Sequence, residues 1–287
     1  MSLPKPEEHE AFYAELTSRN RGLIAPELQA ILRRTRFVIA GCGSTGGAVV
    51  MPLLRTGAER FVLLDPGEYE LNNLNRQDAT VDDIGRNKAR VAADRLLAVN
   101  PHCSIEVHEE GVDAATVSDL LRENDLVLDA IDVTTQDGIA AKLALHDAAL
   151  AKRVTVITAY DIATTQFIEI FDYRKVQEPL GGRVKNPSAG PQAVLRSLIP
   201  PSVLPREIFA VLLERRQEPD RGFPQLAMTS TFLGALSVEI VLRLLMGKQV
   251  KRRIHVDLAD LARPTVRRAA DEVRTKLELV DLWMKLR

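Results

Sequence analysis

The run Leu71-Asn72-Asn73-Leu74-Asn75-Arg76-Gln77 follows closely on an apolar segment that ends in Asp65, and Lys88 stands eleven residues past Gln77. An acid at the end of a strand can accept hydrogen bonds from ribose hydroxyls. A forked guanidinium and a mobile ammonium are the groups that hold phosphates. Upstream, Gly41, Gly43 and Gly46 form G-x-G-x-x-G, a turn in which the backbone bends tightly, approaches a phosphate closely and opens a helix whose N-terminal amides favour anions. The glycine turn and Asp65 suit NAD and ATP equally. Arg76 and Lys88 separate the two. Attack on an α-phosphate must neutralise a triphosphate and a departing pyrophosphate, which calls for fixed cations and a divalent metal. The set therefore points to ATP-dependent activation of a carboxylate rather than to hydride transfer. Lys88 also opens its helix, where a cation opposes the dipole and an ordinary surface lysine gains nothing.

Asp129 and Asp132 follow the next apolar segment. An acid at that edge is placed to hold Mg²⁺ bridging phosphates. Asp132 is the expected metal ligand, because Asp129 falls within the apolar strand pattern. Capping of the following helix is the alternative role for both.

These groups need a scaffold that brings them to one edge. Phe37–Ala40, Phe61–Leu64, Ser104–Val107, Leu126–Ala130 and Val154–Thr158 read as short apolar strands, and helical patterns ending near Thr56, at Asn87–Val99 and at 136–151 alternate with them. That alternation predicts a doubly wound, mainly parallel α/β sheet, Rossmann-like, with helices on both faces. Gly57 is the expected stop of the first helix. Glu7–Leu32 has helical spacing. After Ala159 the pattern changes: Gln166–Phe171 and Ile254–Leu258 suit an antiparallel extension, 205–215 a short helix and 229–246 a long one. Residues 174–203, rich in glycine and proline, read as a long loop, of a length that is usually functional or disordered. The chain reads as an N-terminal helical segment at 1–34, a candidate dimer arm, then a Rossmann-like ATP-binding core at 35–159 and, in the same domain, an antiparallel extension at 160–287 with a crossover or lid loop at about 174–203 and C-terminal helices.

Composition excludes other classes. A formal net charge of −1 gives no electrostatic case for nucleic acid or membrane. Two cysteines, Cys42 and Cys103, exclude a disulfide scaffold and a four-cysteine zinc site within this chain. The polar N-terminus is not a secretory signal. Thr229–Met246 carries Glu239 and Arg243, so a buried helix explains it better than a membrane span. A cytoplasmic location is expected.

The combination resembles the ubiquitin-activating-enzyme-like adenylyltransferases, the family that includes the molybdopterin-synthase and thiamine-biosynthesis sulfur-carrier adenylyltransferases. The resemblance runs from about Arg19 to about Gly247 and is strongest from Phe37 to Asp132. It implies MgATP as cofactor and an acyl-adenylate as product, from a carrier-protein or peptide C-terminus or a small or tRNA-borne carboxylate. It implies that Gly41, Gly43 and Gly46 form the nucleotide turn, that Asp65 is the ribose acid, and that Asn73, Arg76 and Lys88 contact phosphates. Asp132 is then the magnesium aspartate. Arg21 resembles an arginine that reaches across a homodimer interface to the partner's ATP. The chain departs from the family pattern at four places. It has no CxxC pairs for structural zinc and no cysteine after Phe171 for a thioester. Gly67 stands where a second acid is common, and Val133 where an asparagine is common. The adenylation apparatus is present and the thiol-transfer apparatus absent, so chemistry would stop at the adenylate or pass directly to an acceptor.

Two other readings stay open. A nicotinamide-dependent oxidoreductase would use the glycine turn and Asp65, but no catalytic constellation for hydride chemistry accompanies them; His146 and His255 read as structural or exposed. A non-catalytic scaffold of the same family would have no need of Arg76, Lys88 and Asp132.

Overall fold

The apolar segments become strands of one sheet whose inner members are buried along their length. The computed structural model describes residues 6–214, 223–264, 274–275, 277–280 and 284. In chain order the elements are α1 (Pro6–Leu16), α2 (Pro26–Arg34), β1 (Arg36–Ala40), α3 (Ser44–Thr56), β2 (Arg60–Leu64), α4 (Lys88–Val99), β3 (Ser104–His108), α5 (Val117–Leu120), β4 (Leu126–Asp129) and α6 (Gln136–Lys152). They continue with β5 (Thr155–Ile162), β6 (Thr165–Asp172), α7 (Pro191–Leu198), α8 (Phe209–Glu214), α9 (Ala227–Leu245), β7 (Arg253–Asp257) and α10 (Leu258–Ala262). The sheet order is β3-β2-β1-β4-β5-β6-β7, with β3 to β5 parallel and β6 and β7 antiparallel. The chain leaves β1 for β2 on one side and returns to β4 on the other. The carboxyl ends of β1 and β4 therefore flank the crevice where doubly wound sheets take ligands.

Strand periodicity splits the core. Phe37, Ile39, Phe61, Leu63 and Leu128 face α3, α4 and α9, while Val38, Ala40, Val62, Leu64 and Val127 face α5 and α6. The long apolar helix α9 has the length and composition of a membrane span, but here it is a packing element. Leu233, Ile240 and Val241 are buried, and Gly234 lies so close to α3 that a Cβ would stand 2.2 Å from the carbonyl oxygen of Ala48.

The structure corrects three expectations. The single helical pattern over Glu7–Leu32 is two helices joined by a short 3₁₀ turn, because Gly22 takes φ of +85° and Pro26 begins α2. The expected loop at 174–203 holds α7 and three 3₁₀ turns, and it buries Leu180, Val194 and Leu198 against α6 and the sheet. The boundary drawn at residue 159 falls inside β5. Most of the C-terminal helical expectation past residue 264 lies outside the described residues.

Candidate nucleotide site

The three glycines of the turn are there for different reasons. Gly41 leaves β1 with φ of +93°, and a Cβ on it would lie 2.6 Å from the carbonyl oxygen of Ala130. A Cβ on Gly46 would lie 1.9 Å from the carbonyl oxygen of Gly41. Both positions are closed by backbone. Gly43 is open: the nearest neighbour of a Cβ there is the Gln77 amide at 3.8 Å. Gly43 caps α3 with no side-chain bond to its first amides, which leaves these donors free for an anion. Gln77 Oε1 is buried beside this turn and has no protein partner among the described residues, the situation of an acceptor that a ligand would satisfy.

Asp65 follows β2 and is buried. Its Oδ2 accepts the Cys42 N–H at 2.6 Å and its Oδ1 the Gly67 N–H at 2.7 Å. Burial pushes its carboxyl above the usual range, opposed by those two amides and by the Lys88 ammonium. The Lys88 Nζ lies 3.3 Å from where a Gly67 Cβ would stand, and 5.9 Å from the Tyr69 ring centre. The glycine at 67 thus leaves the space that the ammonium uses.

The 71–77 run is a 3₁₀ turn, Leu71–Asn75, followed by Arg76. Asn73 is buried and shapes it: its Oδ1 accepts the Glu70 N–H, and its carbonyl accepts the N–H groups of Arg76 and Gln77. Arg76 donates Nε to Gln225 Oε1 at 2.7 Å and Nη1 to Asn72 O and Asn75 Oδ1, both at 2.9 Å. Its Nη2 carries none of these bonds. Asp132 is exposed on the turn after β4, where its carboxylate accepts the N–H and hydroxyl of Thr134 at 2.9 and 2.8 Å. It does not cap α6; Thr135 does, accepting the Gly138 N–H.

Asp129 has a different place from either role expected for it. It is buried at the end of β4, paired with the Lys142 ammonium at 2.5 Å. It accepts from His146 Nε2 and Thr158 Oγ1, each at 2.9 Å, and from the Ile131 N–H at 3.2 Å. Burial opposes its charge, but Lys142 and His146 outweigh this and hold the carboxyl well below the usual range. Breaking such a buried pair from one side costs about 3–5 kcal/mol. His146 is buried and structural, one of the two roles that the sequence allows it. Tyr173 Oη lies 2.5 Å from its Nδ1 and accepts the Leu180 N–H at 3.0 Å. A neutral imidazole fits this arrangement, taking the tyrosine proton at Nδ1 and donating from Nε2.

Two residues escaped the sequence reading. Asp161, buried near the end of β5, accepts from Ser44 Oγ at 3.2 Å and from Gln225 Nε2 at 2.6 Å. Gln225 joins it to Arg76. The one available signal was an acid at the carboxyl end of a buried strand; Gln225 had none. Arg21 is not brought to the site. It is exposed, and the neighbouring Asn20 amide donates to the Thr56 carbonyl at the far end of α3, about 20 Å from the glycine turn at 1.5 Å per residue. Among the described residues no group of three or more His, Cys, Asp or Glu side chains is placed to hold a metal. Mg²⁺ does not need such a group: it takes one or two carboxylates and fills its shell with phosphate oxygens and water.

A mainly parallel sheet, a glycine turn at the central strand and an acid at the end of the next define a Rossmann-like fold. The model of the ThiF family matches residues 17–276, and the chain belongs to that family. It is similar to the tRNA threonylcarbamoyladenosine dehydratase of Haemophilus influenzae, 31% identical over 170 residues, 57% of this chain and 63% of that protein. The sulfur carrier protein adenylyltransferase of Thermus thermophilus is 36% identical over 110 residues, 38% of this chain and 41% of that protein. The chain thus spans less than two thirds of these curated relatives. Among solved structures, PaaA superposes with a TM-score of 0.60 at 20% identity over 91% of this chain and 82% of that one. Escherichia coli TcdA in complex with AMP gives 0.59 at 19% identity over 86% and 98%. These structural likenesses show the fold.

Proposed function

We propose that this protein adenylates a carboxylate at the expense of ATP, releasing pyrophosphate and forming no thioester on its own cysteines. The observation that carries the reading is the convergence, at one sheet edge, of the uncapped α3 terminus, the Lys88 ammonium beside Asp65, and an Arg76 guanidinium whose Nη2 is left over. Family membership and the adenylyltransferase names of relatives support it.

In this reading Gly43 and the α3 amides receive phosphate, Asp65 accepts from the ribose hydroxyls, and Arg76 and Lys88 neutralise the phosphate chain. Asn73 serves by shaping the turn that aims Arg76. Asp132 would hold Mg²⁺, which would supply charge neutralisation when bound. A carboxylate oxygen attacks the α-phosphorus, and the bond from that phosphorus to the oxygen bridging the β-phosphate breaks. Pyrophosphate leaves with the electron pair. The nucleophile is already ionised, so positioning and charge neutralisation suffice without a general base. Arg21 would act only in a homodimer, on the site of a second copy. The substrate proposed is the carboxylate of a peptide or carrier C-terminus, a class named among relatives by the sulfur carrier protein adenylyltransferase; a tRNA-borne carboxylate is the alternative that the dehydratase relative brings.

Neither Cys42 nor Cys103 suits a thioester. Burial raises the Cys42 thiol well above its ordinary value and pushes Cys103 up to about 12. Calorimetry with MgATP, ADP, NAD⁺ and NADH, wild type beside Arg76→Ala, tests the reading. Losing charge-assisted bonds worth about 1.5–3 kcal/mol should weaken ATP binding roughly 10- to 150-fold. Preference for a nicotinamide cofactor would overturn it.

A further inference from the structure

The side-chain amide of Gln225 has only one workable orientation. Arg76 Nε can only donate, so the amide oxygen must face it, at 2.7 Å. The amide nitrogen then points the other way, to Asp161 Oδ1 at 2.6 Å and Ser44 Oγ at 3.2 Å. Asp161 is anchored in turn at the first residues of α3, accepting from Ser44 Oγ through Oδ2 and from Thr45 Oγ1 at 3.5 Å. The backbone is tied as well. Gln225 bridges to Ala163 just past β5, and Ser230 Oγ, in the first turn of α9, donates to the Arg76 carbonyl at 2.9 Å.

An arginine has a long side chain with many rotamers, and aiming it at a ligand costs conformational entropy. Here three of its donor bonds are already made before any ligand arrives. Nε goes to Gln225 and Nη1 to Asn72 and Asn75, so Nη2 is the nitrogen that none of these bonds occupies. The amide of Gln225 is the only one of these partners that comes from outside the 71–77 run. It is also the one connected through Asp161 to the helix whose N-terminus receives phosphate in the proposed reading.

We propose that Gln225 is a positioning residue for Arg76 and that Asp161 fixes its amide, so that guanidinium and α3 terminus present one preformed surface to the phosphates of ATP. The inference rests on the adenylation reading, since it assigns the aim of a phosphate-binding arginine. Its content is that two residues without contact to substrate set phosphate affinity and leave nucleoside affinity alone.

The experiment is titration calorimetry of Gln225→Met, Gln225→Ala and Asp161→Ala with MgATP and, separately, with adenosine. Methionine keeps the length and packing of Gln225 and removes the amide, so it serves if alanine disturbs folding; thermal melts report on that. Freeing one rotamer-rich side chain costs about 0.5–1.5 kcal/mol, so ATP binding should weaken about 2- to 12-fold, with adenosine binding unchanged. The double variant Gln225→Met with Arg76→Ala should bind ATP no more weakly than Arg76→Ala alone, because the glutamine acts only through the arginine. Equal losses for ATP and adenosine would mean a structural role and overturn the inference. Additive losses in the double variant would overturn it too. If Arg76→Ala itself leaves ATP binding unchanged, the adenylation reading fails and takes this inference with it. If Arg76→Ala weakens binding and Gln225→Met does not, only this inference fails.

Discussion

Gly46→Ala and Gly43→Ala place the same methyl group in the same turn and should fail in different ways. At Gly46 the methyl would lie 1.9 Å from the Gly41 carbonyl oxygen and 3.1 Å from the Ala130 methyl. The obstacle is backbone, so α3 would have to retreat by about 1 Å from β1, a shift of the kind that costs about 1–3 kcal/mol in a packed core. The upper end applies, because no flexible side chain can absorb the clash. At about 2–4 °C per kcal/mol for domains of this scale, the melting temperature should fall by about 6–12 °C. At Gly43 the backbone has φ of −77° and nothing lies nearer than 3.8 Å. Its ψ of −147° lies outside the regions that a side chain favours, a strain that in the alanine variant is offset by the reduced freedom of the unfolded chain, about 0.4–1 kcal/mol. Its melting temperature should therefore stay within about 2 °C of wild type. The methyl would instead occupy the space through which phosphate approaches the α3 amides, and ATP affinity should drop at least about tenfold, equivalent to ~1.4 kcal/mol. Scanning calorimetry and ATP titration on both variants settle the matter. Normal ATP binding by Gly43→Ala, or equal destabilisation of the two, would refute the assignment of the turn.

Two further outcomes follow from the buried groups. Burial holds the His146 imidazole below its ordinary 6.5, so it stays neutral while the unfolded chain takes up a proton. Its contribution to stability is therefore complete above about pH 6.5 and declines as pH falls below that value towards the folded pKa. His146→Gln should flatten the melting-temperature profile between about pH 6.5 and 5, and an unchanged slope would show that the histidine is not the titrating group. Cys42 and Cys103, both with thiols raised by burial, should resist a thiol reagent at pH 8 in the native state and react fully in guanidinium. Rapid native labelling of either would restore a thiol mechanism.

The parallel half of the sheet was legible because its strands are buried on both faces and read as unbroken apolar runs. The α3 stop at Gly57 was legible for a related local reason: the residue takes φ of +117°, where glycine is favoured. Segment 174–203 reads as a loop because its one α-helix has only eight residues and its 3₁₀ turns three or four, with glycine and proline between them, too little for periodicity to show. Pro191 opens α7 and does not break it. Asp129 was set aside as part of an apolar strand, although its partners Lys142 and His146, four residues apart on α6, mark a polar stripe on a buried helix. Asp161 and Gln225 could not have been paired by reading along the chain. They stand 64 residues apart and meet only because the segment before α9 runs past the end of β5.

The carboxylate of Asp129 has a consequence for how the molecule comes apart. Its donors come from α6, from β5 and from the turn after β4, and His146 is itself supplied by Tyr173, which holds the first 3₁₀ turn of the crossover segment through Leu180. A fragment lacking any one of these would strand a charge or a donor in the apolar interior, at a cost comparable to a large share of a domain's net stability. A cut near residue 159 would keep the partners of Asp129 together but would sever β5, part it from β6 and take Tyr173 from His146, so the core and the extension should melt in one cooperative transition.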